Sequence, residues 1–467
     1  MMANPERRGR AALIDLMNVA AYRENNRIEA KKALGGLPRS IWETYSAFAN
    51  ALGGVILLGV EEHKDTSLSP VDLPDPEGMV RLFWSLLRDG KTVSANILTE
   101  ENVRIAEVEG KRIIAIEVPR ARRSLRPVYI GGDPMTGTYR RNGEGDYRCK
   151  REEVLEMQRD AARRTGDMRV LVDLALEVLD GASVAEYRAC LPDATDMEEK
   201  AFLMKVGAAA EAEGAVHPTC AGLLMFGLTS EIRRQYPEYS LEYRGGAANT
   251  DDGEAESSLM IGGNLFDFYT RVMERLEKAY PPELLPALRE ALTNCLLNAD
   301  YHSGGVVIRC GADAAEFSNP GQFRVDVEDA VNGGVSDPRN LALARMFAAM
   351  GAGRGSGSGL SGILALWREK GWARPAIRET FDPARVTVRL PFLPAEEGRS
   401  PAPAGRIPYD LQRSALIAYV TEHIRVTAAE LVCCFPEEPK EAARCLAELL
   451  EEGILVEEVP GVYRLKR

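Results

Sequence analysis

The sequence predicts a multidomain α/β (α+β) protein. At about 150 residues per domain, its 467 residues correspond to roughly three domains. Apolar runs of strand length alternate with amphipathic helical patterns over the first 390 residues, and the last sixty change to short helices followed by two strands. A composition of 45% hydrophobic and 27% charged residues is typical of folded globular chains and excludes a disordered or fibrous protein.

The first 160 residues are predicted to form an α/β domain. Apolar residues recur at helical spacing from Ile41 to Leu52, and Gly53-Gly54 follows where a C-terminal glycine cap is expected. Val55–Val60 and Arg112–Val118 are continuous apolar runs, as in strands buried on both faces.

One segment of this domain is strongly basic. Lys111 to Arg151 contains eleven Lys or Arg residues against four acidic ones, an excess of seven in a chain of net charge −12. Phosphate contacts supply most non-specific affinity for nucleic acids, so this segment is the expected DNA-binding face. The expected contacts, in or beside turns, are Arg122, Arg123, Arg140 and Arg141. Pairing of these arginines with acidic residues of the protein itself is the alternative.

Residues 161–265 are predicted to form a connecting α/β region, which is helical to about Gly214. Thr219–Gly227 is expected to be a buried strand, and the polar stretch from Tyr243 to Ser258 an exposed loop. A third region, residues 266–393, begins with two helices separated by Pro281-Pro282. Its expected helices are 262–280, 283–301 and 341–350, and its expected strands are 306–310, 316–317, 377–379 and 385–390.

The helix predicted at 283–301 carries the most specific chemical pattern. Glu290, Asn294 and Asn298 are spaced by four residues and share one face, whereas the stripe from Leu288 to Ala299 on the opposite face is apolar. A carboxylate can activate a water while an amide oxygen on the same face holds Mg²⁺ over a triphosphate. From this helix alone, a solvated polar face is an equally good interpretation.

Neighbouring motifs favour the nucleotide interpretation. Asn319-Pro-Gly321 follows a strand, and a Gly-Ser-Gly-Ser-Gly run begins at Gly355. With Arg289–Asn294 and Asp300-Tyr301, this order resembles the GHKL-like α/β sandwich of bacterial helicase-related, RecG-type proteins. The resemblance implies ATP and Mg²⁺ as cofactors, with Glu290 as the general base and Asn294 as the Mg²⁺ ligand. The nucleotide contacts it implies are Asp300, Asn319, Gly321, Gly355, Gly357 and Gly359.

The chain departs from that family where Asn298-Ala299 replaces a usual His-Arg pair, which affects hydrolysis more than binding, so slow turnover at best is expected. No G-x-x-x-x-G-K-[ST] phosphate loop is present, which excludes a helicase motor of the usual kind. Gly357–Gly362 matches a dinucleotide fingerprint, but it follows a helical segment instead of a strand.

The N-terminal domain resembles the Schlafen AlbA-type domain, a module associated with DNA binding. The resemblance rests on Glu29-Ala-Lys31, Ala47–Asn50, Leu57–Val60 and Tyr139–Gly143. It implies DNA contact, including by Lys31. Nuclease-active Schlafens bind a divalent metal through two glutamates five residues apart and a third carboxylate. Glu24 and Glu29 have that spacing here, with Glu61, Glu62 or Asp65 as a third ligand; a structural or DNA-contacting role is the alternative.

Residues 394–405 are predicted to be a linker and 406–467 a winged helix-turn-helix. From Arg406 onward there are eight basic and eleven acidic residues, so protein contact or dimerisation is as well supported as DNA reading. The eight cysteines are too scattered for a thiolate metal site and predict reduced thiols.

The sequence as a whole predicts an ATP-binding, DNA-binding protein, a transcriptional regulator in which nucleotide occupancy controls DNA binding. The alternative is a Schlafen-like, metal-dependent nuclease gated by nucleotide, in a defence role. DNA is the expected partner and a homodimer is left open. A cytoplasmic location without a membrane partner is expected, because no apolar run approaches the roughly 20 residues of a membrane span.

Overall fold

The computed structural model describes most of the first 394 residues and short pieces of the remainder. The described residues are 24, 27–64, 67–142, 145–194, 196–245, 262–325, 327–352, 359–381, 383–394, 426–427, 444, 446–450, 454–459 and 462–465. The chain divides into two compact units, one of residues 1–161 with 401–467 and one of residues 162–400. The fold is mixed α/β, as the sequence predicts.

The N-terminal unit is built on a four-stranded sheet of order β1-β2-β6-β5, in which only the β1–β2 pair is parallel. Its strands are β1 (Ile28–Lys31), β2 (Gly54–Leu58), β3 (Val60–Glu62), β4 (Leu68–Pro70), β5 (Val103–Val108), β6 (Lys111–Val118), β7 (Tyr139–Asn142) and β8 (Gly145–Arg148). Its helices are α1 (Ile41–Asn50), α2 (Pro76–Leu87), α3 (Pro134–Gly137) and α4 (Arg151–Ala161). The pairs β3–β4 and β7–β8 are separate two-stranded sheets.

Both faces of this sheet are covered, which explains the continuous apolar runs. Ile56 and Ile114 face a core formed with α1 and α2, whereas Leu57 and Ile113 face a smaller core with Val60. The predicted glycine cap of α1 is confirmed, since Gly53 N donates to Phe48 O and Gly53 has φ of +75°. A Cβ at Gly53 would lie 2.8 Å from Val118 O, so glycine is required there.

The second unit contains a five-stranded sheet of order β11-β12-β13-β15-β14, in which only β11–β12 is parallel. Its strands are β9 (Ala209–Ala212), β10 (Ala215–Pro218), β11 (Leu241–Gly245), β12 (Val306–Cys310), β13 (Ala314–Pro320), β14 (Ala376–Phe381) and β15 (Ala384–Pro391). Its first helices are α5 (Gly181–Ala189), α6 (Glu199–Val206), α7 (Cys220–Phe226) and α8 (Thr229–Gln235). The remaining helices are α9 (Leu265–Ala279), α10 (Leu285–Asn298), α11 (Val327–Asn332), α12 (Leu341–Ala349) and α13 (Gly359–Glu369).

One hydrophobic core runs through this unit, from Leu171 to Leu390, and joins the connecting region to the helices and sheet that follow it. The expected strand at Thr219–Gly227 is wrong. Residues 220–226 instead form helix α7. Thr219 is its N-cap, and the Thr219 hydroxyl accepts a hydrogen bond from Gly222 N at 3.0 Å. All seven residues of α7 are buried. When every residue of a short segment is apolar, the sequence shows neither helical nor strand periodicity, so a buried helix cannot be distinguished from a buried strand.

Only pieces of the C-terminal region are described. They include a three-stranded sheet of order β16-β18-β17, formed by β16 (Val426–Thr427), β17 (Leu455–Val459) and β18 (Val462–Leu465). The predicted pairing of the last two strands is confirmed, and residues 446–450 are helical. The linker after residue 394 and the helices expected before residue 444 lie outside the described residues, so the winged helix stays a prediction.

In the described part of the chain, no helix has the length and apolar character needed to cross a membrane. The described cysteines, Cys149, Cys190, Cys220, Cys295 and Cys310, are free thiols.

Candidate functional site

Helix α10 presents its polar face to a cavity in the second unit. Glu290, Asn294 and Asn298 all line it, and the apolar stripe on the other side of the helix is buried, as predicted. Asn294 Nδ2 donates to Glu290 Oε1 at 3.2 Å, and Asn298 Nδ2 donates to Asn294 O at 2.9 Å. The first bond fixes the amide nitrogen on the carboxylate, so the Asn294 amide oxygen is the atom that can accept a cation.

The cavity itself encloses about 190 Å³, more than ten times the space that one water needs. Its floor is the sheet, through Phe317, Val386 and Val388, and Ile363 of α13 closes another side. Charged side chains are few, and among the described lining residues they are Glu290, Arg324 and Asp337. A mostly apolar cavity with a few grouped polar side chains is the usual form of a small-molecule site.

Gly359, the first residue of α13, lies against the Glu290–Asn294 pair. A Cβ at this position would overlap Glu290 Oε1 and would lie 3.0 Å from Asn294 Nδ2. The three residues are therefore in one place, although 65 positions separate Asn294 from Gly359 along the chain. Only glycine allows the backbone to approach the carboxylate and amide this closely. Gly355 and Gly357 lie outside the described residues.

We expect Gly359→Ala to weaken ATP binding about tenfold, equivalent to about 1.4 kcal/mol. The added methyl group must push the Glu290 carboxylate away from its present position. The matched control is Gly362→Ala in the same helix, because a Cβ at Gly362 meets no atom within 4 Å. Calorimetric titration with ATP and Mg²⁺ checks both variants. Equal affinities for the two variants would contradict the placement of the nucleotide against α13.

Asn319 is the penultimate residue of β13, which runs further than the strand predicted at 316–317, and Gly321 directly follows the strand. Asn319 is buried, lines the cavity and donates through Nδ2 to Pro320 O at 3.1 Å. Gly321 has φ of +96°, and a Cβ there would lie 2.7 Å from Arg339 Nη2. The buried Arg339 guanidinium joins this turn to the end of α10, since it donates to Gln322 O at 2.9 Å and to Asn298 O at 3.0 Å. Sequence reasoning missed Arg339.

Asp300 is placed differently from the expectation that it contacts nucleotide. It does not line the cavity, and its carboxylate accepts from His302 N at 3.2 Å and from Ser303 Oγ at 2.7 Å. Its backbone N–H donates to Pro320 O at 3.0 Å. Asp300 thus holds the turn after α10 next to the end of β13, which is a structural contribution to the site.

A second contact that the sequence did not reveal fixes helix α12. Asp167 Oδ2 accepts from Ala342 N at 2.8 Å and from Leu343 N at 3.0 Å, so it caps the first turn from 175 residues away. Thr165 Oγ1 donates to the other oxygen of this carboxylate, and burial raises the Asp167 pKa. Ala344 of α12 and Ala352, just beyond its end, line the cavity. Helix α12 therefore connects the cavity to the segment that follows α4 in sequence.

The N-terminal unit holds a compact ionic cluster around Arg141. Arg141 Nη1 lies 2.7 Å from Glu29 Oε2 and 3.0 Å from Asp146 Oδ1, and Lys31 Nζ lies 2.7 Å from Glu29 Oε1. Glu24 Oε1 accepts from Ala30 N at 2.8 Å. Burial, and after it the Glu29 charge, raise the pKa of Glu24 from 4.5 to about 7. No group of three candidate metal ligands occurs in the part of the chain that the structure describes.

The expectation that Arg140 and Arg141 reach outward from a turn is wrong. Both belong to β7 and are buried, and Arg140 Nη1 lies 3.0 Å from Glu153 Oε1. Arg123 Nη1 donates to the carbonyl of Asp160 at 2.6 Å. Arg122 is exposed, as expected. Of the possible third metal ligands, Glu61 pairs with Lys32, and Asp65 lies outside the described residues. Glu62 is close enough to Glu24 for its charge to contribute to the raised pKa of Glu24.

Comparison with known proteins agrees with both resemblances. Residues 24–150 match the family described as Schlafen, AlbA_2, and residues 304–388 match the family described as putative ATP-dependent DNA helicase recG C-terminal. Residues 155–242 match DUF8451, a domain of unknown function. None of the curated proteins matches the chain significantly.

Solved structures similar to the chain include a protein from Corynebacterium diphtheriae and a domain from Nitrosomonas europaea. The DIP2311 protein from Corynebacterium diphtheriae is 18% identical, with a TM-score of 0.40 over 94% of this chain and 80% of its own. The N-terminal domain of a putative ATP-dependent DNA helicase RecG-related protein from Nitrosomonas europaea is 35% identical, with a TM-score of 0.22 over 28% of this chain and 86% of its own.

The two domain matches indicate a function related to nucleotides and DNA. The chain combines a Schlafen AlbA_2-type domain with an ATPase-like domain of the helicase-related, RecG C-terminal kind.

Proposed function

We propose that the second unit binds ATP with Mg²⁺ in the α10 cavity, and that nucleotide occupancy controls DNA binding by the chain as a transcriptional regulator. One observation carries the nucleotide part. Glu290, Asn294 and Gly359 meet at a mostly apolar cavity, and the domain around it matches an ATPase-like family. A flat base suits the apolar floor, and the buried Asn319 amide can hydrogen-bond to its edge.

The remaining roles follow from the charges around the cavity. The described lining residues carry two carboxylates and one guanidinium, and Mg²⁺, when bound, adds positive charge for a triphosphate. The Asn294 amide oxygen is the protein ligand that suits this ion. Glu290 acts as the base that accepts a proton from the attacking water, and Asn294 Nδ2 holds its carboxylate in place.

Helix α12 supports the link between nucleotide and DNA binding. The helix borders the cavity through Ala344, and its first turn is held by Asp167. Asp167 follows α4, the last helix of the N-terminal unit, by six residues. A nucleotide that shifts α12 therefore acts on the segment that leads into the DNA-binding unit.

The exposed cations of the N-terminal unit support DNA contact by that unit. Within the basic segment, the cationic side chains that are exposed to solvent are Arg122, Arg148, Lys150 and Arg151. Tyr147, next to Arg148, is 60% exposed and offers an aromatic face. Lys150 and Arg151 precede or begin α4 and add two exposed positive charges close to Arg148 in sequence.

The nuclease alternative has less support, although the charges of Glu29 and Glu62 both act on Glu24. Glu29 is already paired with Lys31 and Arg141, and the described residues contain no metal-ligand cluster. Nuclease activity in defence stays a prediction from the resemblance, as do homodimerisation and a cytoplasmic location.

The nucleotide proposal is tested by Glu290→Gln. This change keeps the size and hydrogen-bonding capacity of the side chain but removes the base, so ATP binding should be retained while any slow ATP turnover is lost. Phosphate release and calorimetry measure the two properties. Glu283→Gln is the control, because Glu283 is exposed just before α10 and pairs with Lys370 at 3.7 Å. Turnover that survives Glu290→Gln would contradict the assigned role.

A further inference from the structure

Helix α4 is attached to the N-terminal unit by a small apolar contact. Val154 and Met157 are buried with Cys149, and Met135 packs against them. This group is separate from the two clusters that cover the faces of the four-stranded sheet. The match to the Schlafen AlbA_2 family also ends at residue 150, immediately before α4 begins. The helix is thus an addition to the matched domain, and its apolar anchorage is minor.

The other described contacts of α4 with the domain include a hydrogen bond and an ion pair, both made by arginines. The helix packs against the short 3-10 turn at Arg123–Leu125. Arg123 Nη1 donates to Asp160 O at 2.6 Å, and Arg140 Nη1 lies 3.0 Å from Glu153 Oε1. Glu156 and Asp160, on the buried face of α4, are carboxylates buried to the same degree as apolar core residues.

Three arginines belong to the segments that α4 contacts, and they give this face of the domain a positive charge. Arg126 and Arg140 are each buried to 5% exposure, and Arg123 is half-buried beside them. The electrostatic surroundings of the Cys149 thiol contain Arg140, Glu153 and Glu156 together, so these charges share one small region. Guanidinium groups bind carboxylates and phosphates with the same planar, two-pronged geometry. A nucleic-acid backbone can therefore replace the carboxylates of α4 on this face.

We propose that α4 covers a phosphate-binding face made of Arg123, Arg126 and Arg140, and that nucleic acid occupies this face when α4 is displaced. The inference rests on the proposed DNA binding by the N-terminal unit and adds a second, covered surface to it. It also relates α4 to the nucleotide cavity, because Asp167, which caps α12, follows the end of α4 by only six residues. Nucleotide bound near α12 can then act on α4.

Neutralisation of the covering carboxylates tests this proposal. Glu156→Gln keeps the shape of α4 but weakens its attraction to the arginines, so affinity for a short DNA duplex should rise at least fivefold. The slope of log affinity against log salt should become steeper by about one for each additional phosphate that the arginines bind. Glu152→Gln is the matched control, because Glu152 is exposed on the same helix and its loss changes the net charge equally. Its effect should stay below twofold.

The rise in affinity should depend on the arginines. Adding Arg126→Gln to Glu156→Gln should return affinity to the wild-type value. Where circular dichroism shows that Glu156→Gln does not fold, Glu153→Gln, at a half-buried position, replaces it and should give the same rise. Equal affinities and salt slopes for the Glu156 and Glu152 variants, with DNA still bound, would overturn this inference alone. No DNA binding by the wild type or any variant would overturn the proposed function as well.

Discussion

Replacing Arg141 by alanine should destabilise the N-terminal unit by about 3–5 kcal/mol, as expected when a buried ion pair loses one partner. The Arg141 side chain is only 1% exposed, and its removal leaves the Glu29 and Asp146 carboxylates without their shared cation. A hydrogen bond of 3.2 Å to Ile28 O and a contact with the Phe48 ring, 5.5 Å from its centroid, are also lost. Urea denaturation monitored by circular dichroism measures the effect.

The control is Arg122→Ala, which removes an exposed guanidinium of the same segment and should change stability by less than about 0.5 kcal/mol. A stable Arg141→Ala protein would contradict the assignment of Arg141 to the structural core. The expected result also means that a combined Arg140 and Arg141 alanine variant loses DNA binding through unfolding. Such a variant therefore cannot show which arginines contact phosphate.

The second large effect is stabilisation by nucleotide. ATP with Mg²⁺ at a hundredfold excess over its dissociation constant should raise the free energy of unfolding by about 2.7 kcal/mol, because the ligand binds only the folded state. Asn294→Ala should abolish the part of this stabilisation that depends on Mg²⁺, because it removes the amide oxygen that suits the ion. Thermal unfolding with ATP, in Mg²⁺ and in chelator, measures both parts.

Chelation provides the control for this variant. In the wild type, removal of Mg²⁺ should reproduce the loss caused by Asn294→Ala, and in the variant it should cause no further loss. A full Mg²⁺-dependent shift in Asn294→Ala would place the ion elsewhere. If millimolar ATP and Mg²⁺ leave the wild-type melting curve unchanged, the assignment of the cavity as a nucleotide site is contradicted.

Local patterns explain why much of the fold was predictable. The buried strand β12 has the predicted bounds, Val306–Cys310, and the α1 cap at Gly53 has the predicted form. Helix α10 likewise presents its predicted faces, since residues spaced by four positions share a side whatever they pack against. Each of these features depends on residues that are close together in the sequence.

Long-range contacts explain what the sequence did not reveal. Arg141 meets Glu29 only because β7 is brought beside β1, and Asp167 caps a helix 175 residues further along the chain. The number of arginines in a segment gives its net charge, but it does not show which of the side chains are buried. Arg122 is exposed, whereas Arg140 and Arg141 are buried, and the charge of the segment could not distinguish them. The motif predicted Gly359 as a site residue, but only the structure shows how closely it approaches Glu290.

The most direct test of nucleotide-controlled DNA binding is a titration of fluorescently labelled DNA duplex with the full chain, with and without a non-hydrolysable ATP analogue and Mg²⁺. Fluorescence anisotropy should show at least a fivefold change in the dissociation constant on nucleotide binding, a coupling of about 1 kcal/mol. In Gly359→Ala, the same nucleotide concentration should have a markedly smaller effect, while Gly362→Ala should behave like the wild type. Dissociation constants that agree within twofold with and without nucleotide, in a wild-type protein shown by calorimetry to be saturated with the analogue, would contradict the account.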